Sequence, residues 1–361
     1  MTRLEVLLAY PRARYDLDSI AGYTRRLAGA LQELPSTSAG WVEPQAAFAA
    51  ARRQPPYGGQ RVVLLQYNPF SYGPRGLAPG LAARCLAMHR ASADRTRLAL
   101  MVHEPYVPIR DWRSLAMGAA QRAQLFAIAR SAELVLGASE AWARLVTRAA
   151  RLSRRARVAA VGSNVPDARG AREAERRRLE IGSGTVVLSH LSTPHPSRLA
   201  EHVVRAANGV AATGLRVVLL NLGAHAPGLR GLDSRVAIRT PGRIADPALA
   251  RAIAASDVFL SPCIDGVSVR RTSLMAALQQ GCCVVGTESP TTDAVLRGGG
   301  LELTPVRDVE GFAQRVVRLA HDRELRARSA EGARRLYEQR FSWPVLAADL
   351  ARDLRTVASG S

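Results

Sequence analysis

The chain of 361 residues contains no lysine, so all 50 of its basic side chains are arginines. They stand against 30 acidic residues and leave a formal net charge of +20. A GC-rich coding bias produces such a surplus, and it equally suits an anionic partner such as phosphate, lipid headgroup or nucleic acid. Arginine pairs with phosphate oxygens in bidentate fashion better than lysine does. Aromatic residues are scarce, at 5%, so the cores must rest on Leu, Val and Ala. The four cysteines, Cys85, Cys263, Cys282 and Cys283, show no C-x-x-C spacing, which argues against a disulfide framework or a thiolate metal site. Cys282 and Cys283 lie inside an apolar run and read as small core residues of a reducing compartment. No apolar stretch is long enough to span a bilayer. The strand-like run Leu4–Tyr10 opens the chain with no signal-peptide pattern. The expectation is a cytoplasmic protein, with peripheral contact to an anionic membrane as its closest approach to a bilayer.

What is present is alternation. The length suits two domains of about 150–180 residues each. In the first half, strand candidates Leu4–Tyr10, Arg61–Tyr67, Leu98–His103, Leu134–Gly137 and Val158–Val161 alternate with helix candidates Ser19–Leu34, Gly80–Ala91, Trp112–Arg130 and Glu140–Leu152. The composition shifts near residue 165, where Asp167–Glu180 is rich in arginine and glutamate and reads as a linker leading into a short helix. Alternation then resumes with strands Thr185–Leu191, Leu215–Leu222, Val258–Ser261 and Cys283–Thr287 and helices Ser197–Ala212, Pro247–Ala255 and Arg271–Gln280. Gly298–Gly300 marks a tight loop, and helices Val309–His321, Glu324–Gln339 and Trp343–Val357 follow, the last capped by Ser342. A β-α-β-α order argues for parallel, doubly wound sheets. The fold class expected is α/β, with two Rossmann-like doubly wound domains facing a central cleft. The boundaries expected are 1–166 for an acceptor domain, 167–182 for a linker, 183–341 for a donor domain, and 342–361 for a helix crossing back to the first domain.

Doubly wound sheets bind ligands beyond the carboxyl ends of their strands, and the unusual residues of this sequence cluster there. His103 follows one strand and suits a hydrogen bond to a hydroxyl or phosphate, or simply a satisfied buried position. The segment Gln66–Gly73 carries Tyr67, Asn68 and Tyr72; with Tyr106, these are the candidate acceptor contacts, flat faces with polar anchors. Gly22, near a helix start, would let a ligand approach backbone N–H groups. His190, His195 and Arg198 flank another helix start, a setting for an anion. The sharpest segment is Ser261–Leu274. There Gly266 permits close backbone approach, Ser268 can cap a helix, and Arg270 and Arg271 can bond a pyrophosphate. The alternative for these arginines is a solvated face.

These segments together resemble a bacterial GT-B glycosyltransferase of the retaining, glycogen-synthase-like group called family 4. Ala132–Ser139, Val161–Pro166, Thr240–Arg243, Ser256–Pro262 and Phe341–Trp343 carry the resemblance, which covers nearly the whole chain. It implies that His103 faces the donor sugar and that Gly242 and Arg243 lie near the nucleobase. It puts His190 and His195 where the family has an arginine and a lysine on the donor phosphates. Many members carry two glutamates eight positions apart, but here Asp265 is the only acid from Asp265 through Gln280. Alignment on Asp265-Gly266 places Ser273 at the second glutamate; alignment back from Gly281 places Ser268 and Ala276 at the two sites.

The resulting expectation is hexose transfer from a nucleoside diphosphate to an acceptor hydroxyl with retention. His103, Asp265, Arg270 and Arg271 are assigned to catalysis. Gly22, His190, His195, Arg198, Gly242, Arg243, Gly266, Val267, Ser268 and Ser273 are assigned to the donor. No metal or other cofactor is expected beyond the nucleotide sugar as co-substrate. The competing readings are a sugar-nucleotide-binding protein with little or no transferase activity, a nucleic-acid binder suggested by charge alone, and a GT-B epimerase or phosphorylase.

Overall fold

Short runs of buried aliphatic residues set the first sheet. In the computed structural model, which describes residues 3–12, 18–90, 96–107, 112–191, 197–223 and 229–359, it contains β1 (Leu4–Ala9), β2 (Thr37–Val42), β3 (Gln60–Tyr67), β4 (Thr96–Val102), β5 (Leu134–Gly137) and β6 (Arg157–Val158). All pairs are parallel, in the order β2-β1-β3-β4-β5-β6. Helices α1 (Ser19–Gln32), α2 (Pro44–Ala50), α3 (Pro79–Arg90), α4 (Trp112–Arg130) and α5 (Glu140–Ala149) make the crossovers. Strands covered on both faces read as continuous apolar runs, and β3 is buried from Arg61 through Tyr67.

The second sheet repeats the plan with β7 (Thr185–Leu191), β8 (Arg216–Leu222), β9 (Val236–Arg239), β10 (Val258–Ser261), β11 (Cys283–Glu288) and β12 (Glu302–Pro305). Its helices are α6 (Arg172–Arg178), α7 (Ala200–Ala212), α8 (Asp246–Ala254), α9 (Thr272–Gln279), α10 (Ala294–Arg297), α11 (Val309–His321) and α12 (Arg323–Arg340), and α13 (Trp343–Ala358) closes the chain. The order β12-β11-β10-β7-β8-β9 is the 3-2-1-4-5-6 arrangement of dinucleotide-binding domains. The chain leaves β7 through β8 and β9, then returns to β10 on the other side of β7. The carboxyl ends of β7 and β10 therefore flank a switch point, where such sheets bind ligands. The doubly wound α/β architecture expected from the sequence is present in both halves.

The chain divides into two compact units, 1–161 with 343–361, and 162–342. The stretch expected as a linker folds onto the second unit. Arg172 and Arg176 of α6 both pair with Asp257, at 2.5 and 3.1 Å, and the same carboxylate accepts the Val187 N–H of β7 at 2.8 Å.

Three strands escape the sequence reading: β2, β9 and β12. All lie at sheet edges. Edge strands bury less and carry weaker apolar patterns; β9 buries only Val236 of its four residues. The strand expected at Val158–Val161 pairs only over Arg157–Val158. The Ser342 hydroxyl donates to the Glu338 carbonyl at the end of α12, closing that helix instead of capping α13. Among the described residues, no helix is long and apolar enough to cross a membrane.

Candidate anion-binding site

A short antiparallel contact builds the site at the β7/β10 switch point. After β7, the Ser197 carbonyl accepts from Ile264 N–H at 2.9 Å and Leu199 N–H donates to the Pro262 carbonyl at 3.3 Å. Arg198 thereby bridges to Cys263 and lies beside the Asp265–Arg271 loop that follows β10. Among the described residues its guanidinium finds weak partners only, Cys263 Sγ at 3.5 Å and Ser273 Oγ at 3.4 Å. Its Nε is buried with no protein partner.

Arg270 and Arg271 converge on one carboxylate, Asp265: Arg270 Nη2 is 2.7 Å from Oδ2, and Arg271 pairs with Oδ1. The Nε of Arg271 is buried with no protein partner. Burial raises the Asp265 carboxyl pKa, but the Arg271 and Arg270 guanidiniums outweigh it and hold the group below its ordinary value. Burial, followed by repulsion from Arg271, lowers the pKa of Arg198, with partly offsetting contributions from Cys263 and Asp265. Three guanidiniums thus stand beside one carboxylate, which bonds two of them. A buried cation without an acid partner is costly, and a bound diphosphate would offset both surplus charges with charge-assisted hydrogen bonds.

His190, at the carboxyl end of β7, is buried, and its Nε2 has no protein partner. Its register neighbour on β8 is Asn221. Asn221 Nδ2 reaches Thr240 Oγ1 at 3.4 Å, which ties the cluster to the turn holding Gly242 and Arg243. Gly242 has a φ of +69°, a conformation that glycine adopts without strain. Arg243 is exposed in the same turn. His195 lies outside the described residues.

The loop after β11 supports the cluster and was missed in the sequence. Asp293, 1% exposed, accepts the Ser268 hydroxyl at 2.8 Å and the Val269 N–H at 2.9 Å. Ser289 and Thr291 hydroxyls donate to the Asp265 carbonyl at 2.7 and 2.8 Å. Buried Thr287 bonds both the N–H and the carbonyl of Cys263. Gly266 has a φ of +74°, and a Cβ there would meet Thr292 Oγ1 at 2.2 Å; its closeness serves this loop. The polar run Ser289–Asp293 also follows a strand, so the same strand-end rule, applied there, would have found it.

Several assignments need correction. Ser268 is held by Asp293 and does not cap a helix: α9 begins at Thr272, with Arg271 at the cap position and no side-chain cap bond. Val267 is fully buried against Gly286, with its N–H donated to the Thr287 carbonyl, so it has no face for a donor. In the first unit, Gly22 N–H is already bonded to the Asp18 carbonyl, and the Asp18 carboxylate takes the N–H groups of Ile20 and Ala21. This end of α1 is capped from within and offers a ligand none of those three N–H groups.

Tyr67 is fully buried, with its hydroxyl accepting from Gln124 Nε2 at 3.0 Å. Tyr72 stacks on it and packs against the first core. Tyr67 is therefore core, and Tyr72 turns its ring inward. Asn68 accepts the Phe70 N–H. Tyr106 is half-buried under the Arg122 guanidinium, 4.6 Å from the ring centroid.

His103 shares a 2.8 Å hydrogen bond with the Gln66 side-chain amide and packs edge-on against Tyr23. Burial lowers its pKa to about 3. Burial, then the Arg198 charge, lowers that of His190 to about 4. Both are neutral at pH 7, so each can offer a hydrogen bond but no charge. Their folded values lie below the unfolded value of about 6.5. Their stabilising contribution is therefore complete above that pH and falls as pH drops toward 4 and 3. Urea titrations should show stability declining from pH 7 to pH 5 by up to about 1.4 kcal/mol per unit and per histidine. His103→Gln should flatten that slope for the first unit, and a flat wild-type profile would contradict the assignment.

Residues 185–322, which contain the whole cluster, match the family model Glycosyl transferases group 1. Over 123 residues the chain is 30% identical to a phosphatidyl-myo-inositol mannosyltransferase of Mycolicibacterium smegmatis; the match covers 34% of this chain and 31% of that protein. The chain thus spans about a third of that curated relative's length. Among solved structures, a glycosyltransferase from Rickettsia africae superposes with a TM-score of 0.68 at 13% identity, over 100% of both chains. HepE of Anabaena, solved in complex with UDP-glucose, gives a TM-score of 0.62 at 15% identity, over 98% of this chain and 99% of that one. At these identities the likeness is one of fold, and the chain has the two-Rossmann-domain GT-B fold.

Proposed function

We propose that this protein is a glycosyltransferase of the retaining, family-4 type that takes a hexose from a nucleoside diphosphate sugar. The observation that carries the reading is Arg198, a half-buried cation with no carboxylate hydrogen bond among the described residues, beside two arginines that share Asp265. The match of this same segment to a glycosyltransferase family model supports it, as does the UDP-glucose bound to a protein of the same fold.

In this reading the donor pyrophosphate lies against Arg198, Arg270, Arg271 and Ser273, with His190 donating or accepting one hydrogen bond. The nucleobase lies toward Gly242 and Arg243. The bond from the anomeric carbon to the phosphate oxygen breaks, and a bond to the acceptor oxygen forms on the same face. The acceptor's proton passes to the leaving phosphate, so no protein base is required. Fixed guanidiniums stabilise the charge that grows on the leaving group, which lowers the barrier more than it tightens substrate binding. They also supply that charge without a metal ion. His103 enters as a neutral hydrogen-bonding group.

Thermal shift against UDP-, GDP- and dTDP-sugars, followed by a transfer assay with and without EDTA, tests this. A ligand at a hundredfold excess over its Kd adds about 2.7 kcal/mol of stability. The expected result is a shift with one nucleotide class and turnover that survives EDTA. A shift without turnover would leave a binding protein only, and the absence of a shift with every nucleotide sugar would remove the reading.

A further inference from the structure

Strand alternation sets two polar side chains together in the first unit. Val63, Leu65 and Tyr67 of β3 and Val102 of β4 turn to one core. Gln66 and Met101 are register partners and lie on the other face, with His103 one residue past β4. The His103 N–H donates to the Tyr67 carbonyl at 2.9 Å, so the parallel pairing extends that far. The Tyr72 hydroxyl donates to the Gln66 carbonyl at 2.5 Å and pins this end of β3. Gln66 is 0% exposed and His103 6%.

Gln66 Oε1 lies 2.8 Å from His103 Nε2. An amide oxygen only accepts, so that ring nitrogen carries a proton. Burial lowers the pKa of His103 to about 3, so the ring holds a single proton at pH 7 and Nδ1 keeps its lone pair. Among the described residues, no hydrogen bond takes Nδ1. Tyr23 packs edge-on against the imidazole with centroids 5.1 Å apart, and Trp343 backs Tyr23 at 5.6 Å, which holds the ring plane. Gln66 Nε2 is buried with no protein partner. Turning the amide over would orphan its oxygen instead, and would demand the Nδ1–H tautomer, which a free neutral histidine favours less. A buried donor left unpaired is costly, and a residue kept at that cost calls for a reason. The reason in reach is His103.

We propose that Gln66 is a positioning residue: its amide oxygen holds His103 as the Nε2–H tautomer, so that Nδ1 is offered to a ligand as an acceptor only. A bare ring nitrogen takes an O–H and repels the lone pairs of an ionised phosphate. His103 is therefore reserved for a sugar hydroxyl, of donor or of acceptor, and adds nothing to phosphate binding. The inference rests on the glycosyltransferase reading for its ligand, but not for the tautomer.

Long-range proton–nitrogen correlation spectra of the full chain, isotope-labelled at histidine, read the tautomer without ligand or turnover. The His103 signals are those that His103→Gln removes. The expected spectrum at pH 7 has the proton on Nε2 and a bare Nδ1. Gln66→Met keeps the side-chain length and removes the acceptor. It should give the averaged shifts of two exchanging tautomers and lower kcat/KM for transfer about tenfold, the scale of one hydrogen bond. A wild-type Nδ1–H, or a Gln66→Met spectrum like that of wild type, would overturn the proposal. Should Gln66→Met fail to fold, the wild-type spectrum still decides. The ligand is read in three arms: whichever UDP-, GDP- or dTDP-sugar raises the melting temperature, its nucleoside diphosphate, and a free hexose. An upfield move of Nδ1 with the nucleotide sugar supports a donor hydroxyl, and one with the free hexose supports an acceptor hydroxyl. A move with the diphosphate, or with none of the three, would overturn the proposal. A nucleotide sugar that raises the melting temperature without moving Nδ1 sinks this inference alone and leaves the glycosyltransferase reading standing.

Discussion

Arg198→Ala is expected to lower kcat/KM for sugar transfer by roughly 10²–10³-fold, the range for loss of one fixed donor at a developing anion. The same substitution should leave the melting temperature unchanged or raise it. Among the described residues, the Arg198 guanidinium is held only by a thiol at 3.5 Å and a hydroxyl at 3.4 Å, and repulsion from Arg271 is only partly offset by Cys263 and Asp265. Removing a half-buried cation that bonds no acid among the described residues relieves a cost. A loss of activity combined with a gain in stability distinguishes a ligand-binding arginine from a structural one. Activity within threefold of wild type, or a drop in melting temperature of many degrees, would contradict the assignment. Arg270 and Arg271 behave differently because Asp265 holds both. Removing either also frees the carboxylate, so their variants mix binding with loop geometry and diagnose less cleanly.

Asp257→Ala should be the most damaging single change to the second unit, at about 3–5 kcal/mol. The Asp257 carboxylate accepts from Arg172, Arg176 and the Val187 N–H, and its removal leaves a strand donor unpaired and two arginines with backbone carbonyls but without their shared acid. Urea denaturation followed by far-UV dichroism should show the midpoint fall. A loss below about 1 kcal/mol, the range of surface ion pairs, would mean that α6 is not anchored through this residue. The sequence did not reveal this role, because a stretch dense in arginine and glutamate reads as a solvated linker unless the acid that meets it, some 80 residues on, is known.

The rest of the fold was legible to the extent that burial is two-sided. The central strands β3, β4, β7 and β8 are covered on both faces and appear as continuous apolar runs. The edge strands β2, β9 and β12 are not, and no local pattern marks them. In the site, the strand-end rule pointed to the Asp265–Arg271 loop because β10 and β7 flank a reversal of strand order. It could not say which side chains face each other. Arginine abundance suggested free guanidiniums, yet two of the three share Asp265. An aromatic run after β3 suggested a sugar platform, yet Tyr67 and Tyr72 turn inward to fill a core short of large side chains. Asp293 was missed because its partners, Ser268 and Val269, belong to a different loop, and only the parallel pairing of β10 with β11 brings the two together.

The switch-point cluster is built on guanidinium, and that choice has a kinetic consequence. An ammonium buried beside two other cations would shed its proton near neutral pH. Even with its pKa lowered, a guanidinium keeps its charge. His190, at the carboxyl end of β7, is neutral down to about pH 4. Among the described residues, neither Arg198 nor His190 changes charge between pH 5 and 8, so through these two groups the grip on a phosphate should change over that range only as the phosphate itself gains or loses protons.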